Sequence, residues 1–135
     1  MALQGIHHVA MAVDDLDAAI DTYARLYGGV VELRDRLDAQ GIVGAYVRVG
    51  GDLVELLAPT GPDTPVGRFL AKRGPGMHHV AYAVDDVAAT LAELAAGGAT
   101  LIDEQPRPGL GGHLVAFVHP ESQHGVLVEV VAAHD

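Results

Sequence analysis

Apolar and polar residues alternate along two short segments of nearly identical sequence. Residues 5–15 read GIHHVAMAVDD, and residues 76–86 read GMHHVAYAVDD. Alternation with a period of two is typical of a β-strand that buries one face. In each copy the small alanines share a face with the second histidine, so the pattern turns His8 and His79 inward. The repetition predicts a chain built from two similar halves.

Helical periodicity follows each of these strands. An Asp-Asp pair can cap the N-terminus of a helix over residues 16–27 and of another over residues 87–96, and a Gly-Gly pair ends each helix. A third, shorter helix is predicted from Pro65 through Lys72, capped by Asp63 or Thr64. The two longer helices therefore occupy equivalent places in the two halves.

The remaining apolar runs predict three further strands in each half. They cover residues 30–33, 42–49 and 52–57 in the first half, and residues 100–103, 113–119 and 125–131 in the second. The predicted fold class is α+β, with two β-α-β-β-β modules related by internal duplication. We expect the first module at residues 1–62, a linker with a short helix at 63–76 and the second module at 77–135, together forming one domain.

Charge and composition exclude several classes of partner. The chain of 135 residues carries 18 acidic and 8 basic side chains, a formal charge of −10, which disfavours nucleic acid and anionic membranes. The sequence contains no Cys, so a metal would be held by His and carboxylates. A patterned strand begins near the first residue and no apolar run is long enough to span a membrane, so a cytoplasmic location is expected.

A Val-Glu pair inside an apolar run ends each half. These pairs contain Glu55 and Glu129, and an ionised carboxylate in apolar surroundings is costly unless it is paired or binds a cation. Each of these residues alone would more often be an outward-facing or hydrogen-bonded group. Their recurrence with the repeat instead predicts one divalent metal held by His8, Glu55, His79 and Glu129, with Co, Mn, Zn, Fe or Ni all compatible with the donors.

Three motifs carry a family resemblance that covers almost the whole chain. They are HHVAMAVDDL, VELLAPTGPDTPVGRFLAKRGPGMHHVAYAVDD and RPGLGGHLVAFVHPESQHGVLVEV. The sequence resembles the methylmalonyl-CoA epimerases of the vicinal oxygen chelate superfamily, which includes glyoxalases and bleomycin-resistance proteins. The resemblance implies an open, cupped mixed sheet with helices outside, one divalent metal ion per chain with Co²⁺ favoured, and a homodimer. His8, Glu55, His79 and Glu129 match the metal positions of the family.

The resemblance also implies a reaction, the epimerisation of (R)- and (S)-methylmalonyl-CoA through a metal-stabilised enolate. Glu129 is the candidate acid/base on one face of the substrate. Some relatives carry a second glutamate on the strand where Gly44 stands here, so the group for the other face is left open. No separate cofactor-binding residues are predicted. The basic residues that could contact CoA phosphates are Arg68, Lys72, Arg73 and Arg107.

Two alternatives keep the same scaffold. One is different enzyme chemistry, a glyoxalase-like lyase or an Fe(II) extradiol dioxygenase. Dioxygenases commonly bind iron through two histidines and one carboxylate, so a fourth ligand disfavours them. The other is a non-catalytic protein that binds a small molecule such as a drug. Such binders generally dispense with the ligand set, which this chain retains.

Overall fold

The computed structural model of the protein describes residues 3–132. The described residues divide into two compact units, one formed by residues 9–78 and the other by residues 3–8 together with residues 79–132. The elements are β1 (Ile6–Ala12), α1 (Leu16–Tyr27), β2 (Val30–Leu37), β3 (Ile42–Val49), β4 (Asp52–Pro59), α2 (Pro65–Arg73), β5 (Gly76–Val84), α3 (Val87–Ala96), β6 (Arg107–Pro108), β7 (Leu114–Val118) and β8 (Val128–Ala132). Short 3₁₀ turns cover Asp38–Gln40, Leu110–Gly112 and Pro120–Gln123. The predicted module boundaries at residues 62 and 76 stay a prediction.

In the unit of residues 9–78 the strands follow the order β2-β3-β4-β1. β1 runs parallel to β4, with Ala10 opposite Glu55, whereas β3 is antiparallel to both β2 and β4. One side of these strands packs against α1, where buried Leu16 lies in a cluster with Val47 and Leu56. Apolar burial between sheet and helix is the main stabilising contribution to this unit.

The other unit repeats this arrangement with the order β5-β8-β7-β6. β5 runs parallel to β8, with Ala81 opposite Glu129, and β7 is antiparallel to β8. On this unit Leu91 of α3 is buried in a cluster that includes Val84 and Val130. The α+β fold class and the β-α-β-β-β order of each half are confirmed, and the repeated connectivity fits the predicted duplication.

α1 and α3 begin and end where the sequence predicts, and α2 begins at the predicted Pro65 and ends one residue beyond Lys72. Side-chain oxygens of Asp15 and Asp86 accept hydrogen bonds from backbone N–H groups in the first turns of α1 and α3, and Thr64 does the same for α2. Gly28 ends α1 in the left-handed conformation, with φ 65°. Within residues 3–132, none of the helices is long and apolar enough to cross a membrane.

The strand predicted at residues 100–103 is wrong. Only Leu101 forms a β-bridge in this segment, and its partner is Val118. The strand that follows α3 in the chain is instead the two-residue β6. The carbonyl oxygen of Phe117 accepts hydrogen bonds from both Ile102 N and Asp103 N, and the Asp103 carboxylate accepts the Phe117 N–H, so a regular ladder does not continue past Leu101. β2 and β4, by contrast, extend to Leu37 and Pro59, beyond their predicted ends, because both pair with β3 as far as Ile42.

Candidate metal centre

The alternation of the two histidine strands places one histidine of each pair inside the protein. His8 of β1 and His79 of β5 are 1% and 3% exposed, whereas His7 and His78 are only half-buried. The small residue two positions further on, Ala10 or Ala81, is fully buried on the same face as the inward histidine. The prediction that His8 and His79 face inward is therefore confirmed.

The carboxylate of Glu129, on β8, lies close to the rings of both inward histidines. Its Oε1 atom lies 3.2 Å from Nε2 of His8 and 3.6 Å from Nε2 of His79. All three ligand atoms lie within 4.8 Å of one another, and the Glu129 side chain is buried like the two rings. The group thus combines two nitrogen donors and one oxygen donor in a water-excluded position.

These distances fit a single divalent ion. Ligand atoms bound at about 2.1 Å in adjacent positions of a tetrahedral or octahedral site lie roughly 3.0 to 3.4 Å apart. The separations around Oε1, 3.2 and 3.6 Å, are close to those values. Two imidazoles and a carboxylate suit first-row transition metals, whereas Ca²⁺ and Mg²⁺ prefer oxygen ligands only. His8, His79 and Glu129 could therefore hold such a metal.

The two histidines also control the ionisation of Glu129. Burial opposes the charged carboxylate, but the favourable interactions of its Oε1 with the neighbouring His79 and His8 rings outweigh this effect. The pKa of Glu129 is lowered from 4.5 to about 2. Glu129 is therefore a carboxylate at neutral pH, which is the form that binds metal.

A small network holds the His79 ring from the side of β7. The ring of Phe117 meets it edge-on at 5.2 Å between centroids, and the Arg107 guanidinium lies 5.4 Å from the centre of the Phe117 ring. Asp103 Oδ2 accepts hydrogen bonds from Phe117 N at 2.9 Å and from Arg107 Nε at 3.1 Å. Sequence reasoning missed Asp103 and Phe117, because no periodic signal connects either residue to His79.

Glu55, the fourth predicted ligand, lies on β4 and is 5% exposed. Its register opposite Ala10 repeats the register of Glu129 opposite Ala81. Among residues 3–132, the group of three ligand residues does not include Glu55. The role of Glu55 as a metal ligand therefore stays a prediction.

The remaining positions singled out in the sequence are Gly44 and four basic residues. Gly44 lies buried on β3, between Asp35 of β2 and Leu57 of β4, and offers no side chain for acid/base chemistry. Arg68 donates a hydrogen bond to the carbonyl oxygen of Asp63 at 3.1 Å. The contact of phosphates by Arg68, Lys72, Arg73 and Arg107 stays a prediction.

The family of the chain follows from comparison with known proteins. A family model described as the Glyoxalase/Bleomycin resistance protein/Dioxygenase superfamily matches residues 7–117. The chain belongs to this superfamily. Within it, the chain belongs with the methylmalonyl-CoA epimerases, and the family resemblance stated from the sequence is confirmed.

Relatives with this name are similar over most of the chain. The mitochondrial methylmalonyl-CoA epimerase of Homo sapiens is 36% identical, over 95% of this chain and 73% of the relative. The ethylmalonyl-CoA/methylmalonyl-CoA epimerase of Cereibacter sphaeroides is 34% identical, over 93% of this chain and 95% of the relative. A solved methylmalonyl-CoA epimerase in complex with methylmalonyl-CoA and NH₄⁺ superposes with a TM-score of 0.93 at 36% identity, covering 98% and 96% of the two chains.

The names of these relatives bear on the predicted enzyme class and on the predicted location. Methylmalonyl-CoA epimerases are isomerases, so the enzyme class predicted for the chain agrees with its family. The human relative is named mitochondrial, and the cytoplasmic location of this chain stays a prediction. The homodimer is likewise a prediction, as is the choice of cobalt.

Proposed function

We propose that the protein inverts the configuration at C2 of methylmalonyl-CoA. The observation that carries this proposal is the buried group of His8, His79 and Glu129, in a chain that is similar along its length to a structure with methylmalonyl-CoA bound. The substrate carbon lies between a thioester carbonyl and a carboxylate. Loss of its proton leaves negative charge that spreads onto the thioester oxygen, so a site for this reaction must stabilise that oxygen.

The chain provides a buried ligand group for that purpose. A divalent ion held by His8, His79 and Glu129 supplies a Lewis acid for the developing negative charge. The imidazoles would hold the ion through Nε2, the ring atom of each histidine that lies nearest Glu129 Oε1. Burial of all three side chains excludes water and strengthens the electrostatic interactions at the site. Glu55 is proposed as a fourth ligand on the basis of its matching register.

Proton transfer is assigned in part to Glu129. In the proposal its carboxylate takes the C2 proton from one face as the C–H bond breaks, and the substrate regains a proton on the other face. A divalent ion held by the three ligands would acidify C2 by drawing electrons from the thioester oxygen. Gly44 cannot supply the group for the second face, which must come from another residue or from water.

Three finer features belong to the same proposal. We expect cobalt to be the ion that supports the highest rate, with Mn²⁺, Zn²⁺, Ni²⁺ and Fe²⁺ as the other metals that the donors accept. We also expect two chains to form a homodimer and the protein to act in the cytoplasm. Loading the purified protein with each metal in turn, and measuring its mass in solution by light scattering, tests the first two of these expectations.

Deuterium exchange provides the direct test of the reaction. The cobalt-loaded protein is incubated with (R)-methylmalonyl-CoA in D₂O, and deuterium at C2 is followed by mass spectrometry together with the appearance of the S epimer. We expect both signals from the wild type and neither from His79→Ala, which removes one imidazole ligand. Metal-loaded wild-type protein that produces neither signal would sink the proposed function.

The ligand group also supports one alternative activity. Two histidines and one carboxylate are typical of Fe(II) oxygenases. Loading the same protein with Fe²⁺ and measuring oxygen uptake with a catechol separates the two activities. Uptake without deuterium exchange would favour the dioxygenase, whereas exchange without uptake supports the epimerase.

A further inference from the structure

His7, the residue before the inward His8, contacts that ring directly. Its Nδ1 atom lies 2.7 Å from Nδ1 of His8, and the two rings stand at 79° to each other. We propose that His7 is a positioning residue, which accepts a hydrogen bond from His8 Nδ1 and so turns His8 Nε2 toward the metal. This proposal rests on the metal site of the proposed function.

The protons on the two rings follow from the ligand geometry. Nε2 of His8 lies 3.2 Å from Oε1 of Glu129, so this nitrogen would hold the metal, and in the metal-loaded protein it presents a lone pair. A neutral imidazole carries one N–H, which is then on Nδ1 of His8. At 2.7 Å from it, Nδ1 of His7 is the acceptor, and the proton of His7 lies on its own Nε2.

The contact matters because metal-bound histidines are commonly oriented through their second nitrogen. A partner for that nitrogen fixes both the tautomer and the angle of the ring. The His8 side chain is fully buried, so bulk solvent does not orient it. The ring of His7 in turn meets His113 at 6.2 Å between centroids. His7 is thus held between the ligand ring and the segment that precedes β7.

The second half of the chain offers a matched control. His78 precedes His79 as His7 precedes His8, and it is also half-buried on its strand. Its ring packs edge-on against Phe69, with 4.9 Å between the centroids. A substitution at His78 therefore changes an imidazole beside the other ligand histidine without changing the contact between His7 and His8.

Zinc affinity tests the proposal without using enzyme activity. The Kd for Zn²⁺ is measured by competition with a chromophoric chelator for the wild type, His7→Phe, His7→Asn and His78→Phe. His7→Phe keeps a ring but removes the acceptor, and we expect it to weaken binding about 10- to 100-fold. His7→Asn restores an acceptor through its amide oxygen and should bind Zn²⁺ close to the wild-type value, as should His78→Phe.

Nitrogen NMR of the zinc-loaded protein gives an independent readout. With ¹⁵N-labelled histidine, a hydrogen bond between the two Nδ1 atoms produces a scalar coupling between them and a slowly exchanging, downfield proton. We expect both in the wild type and in His78→Phe, and neither in His7→Phe. The circular dichroism spectrum of each variant establishes that it is folded.

The outcomes separate the two proposals. Unchanged zinc affinity in folded His7→Phe, or equal losses in His7→Phe and His78→Phe, would overturn the role of His7. Absence of the coupling in the zinc-loaded wild type would overturn it as well. None of these results depends on turnover, so a failure of the epimerase assay with normal zinc binding counts against the proposed function alone.

Discussion

The Nε2 atom of His8 lies 3.2 Å from the Oε1 atom of Glu129, which joins the beginning of the chain to its last described strand. The contact places a ligand from β1 beside β8, and His79 on the neighbouring β5 completes the group. All three side chains are buried, so solvent cannot compensate for a substitution that removes a charge or a metal-binding atom. The predictions below concern this group and Glu55.

Replacing Glu129 by Gln should nearly abolish epimerisation. The amide keeps the shape of the side chain but cannot take a proton from C2 and is a poorer metal ligand. Because general bases contribute a factor of about 100 to 10,000, we expect kcat for C2 deuterium exchange to fall by that factor. Glu121→Gln, at an exposed position in the turn before β8, is the control. Similar rates for wild type and Glu129→Gln would remove Glu129 from the mechanism.

The lowered pKa of Glu129 predicts that acid destabilises the metal-free protein. A carboxyl whose pKa falls on folding, here from 4.5 to about 2, stabilises the fold above pH 4.5 and loses this contribution as the pH falls toward 2. We expect the free energy of unfolding to lose on the order of 3 kcal/mol from this group over that interval. Urea unfolding in the presence of a chelator measures it.

Glu129→Gln provides the comparison for this pH dependence. The other carboxyl groups titrate in both proteins, so the difference between the two curves isolates Glu129. The curve of the variant should be shallower below pH 4.5. Parallel curves for the two proteins over the whole interval would show that Glu129 is not stabilised as a carboxylate by His8 and His79.

Metal addition should stabilise the protein against unfolding. An ion that binds only the folded state raises the free energy of unfolding by about 2.7 kcal/mol at a free concentration of about 100 Kd. We expect a rise in Tm with Co²⁺ that a chelator reverses. The rise should vanish in His79→Ala, which removes one donor from the group. An equal rise in both proteins would indicate binding elsewhere.

Two substitutions at Glu55 test the fourth ligand. Gln retains a side-chain oxygen that can bind metal, whereas Leu retains only the approximate size of the side chain. We therefore expect Glu55→Gln to keep the Kd for Co²⁺ near that of the wild type and Glu55→Leu to weaken it. Equal affinities in all three proteins, measured by isothermal titration calorimetry, would restrict the ligands to His8, His79 and Glu129.

Local sequence patterns were sufficient to predict the boundaries of the two longer helices and to identify the histidine of each pair that points inward. The boundaries of α1 and α3 follow from Asp caps and terminal glycines, which act within one turn of the chain. Which histidine of each pair points inward follows from strand alternation. The outcome at residues 100–103 could not be predicted in the same way, because strand pairing depends on partners far away in the sequence, and here the Asp103 side chain accepts the Phe117 N–H that a regular ladder would use.

The sequence by itself determined the repeat, the residue types at the site and the family to which the chain belongs. The tertiary structure decided how they meet: parallel pairing of β5 with β8 sets Glu129 beside His79, and the same carboxylate reaches His8. It also decided that His7 contacts the His8 ring, although alternation assigns the two to opposite faces. Periodicity specifies the face on which a side chain lies, whereas distances between side chains depend on strand register and rotamers, which only packing fixes.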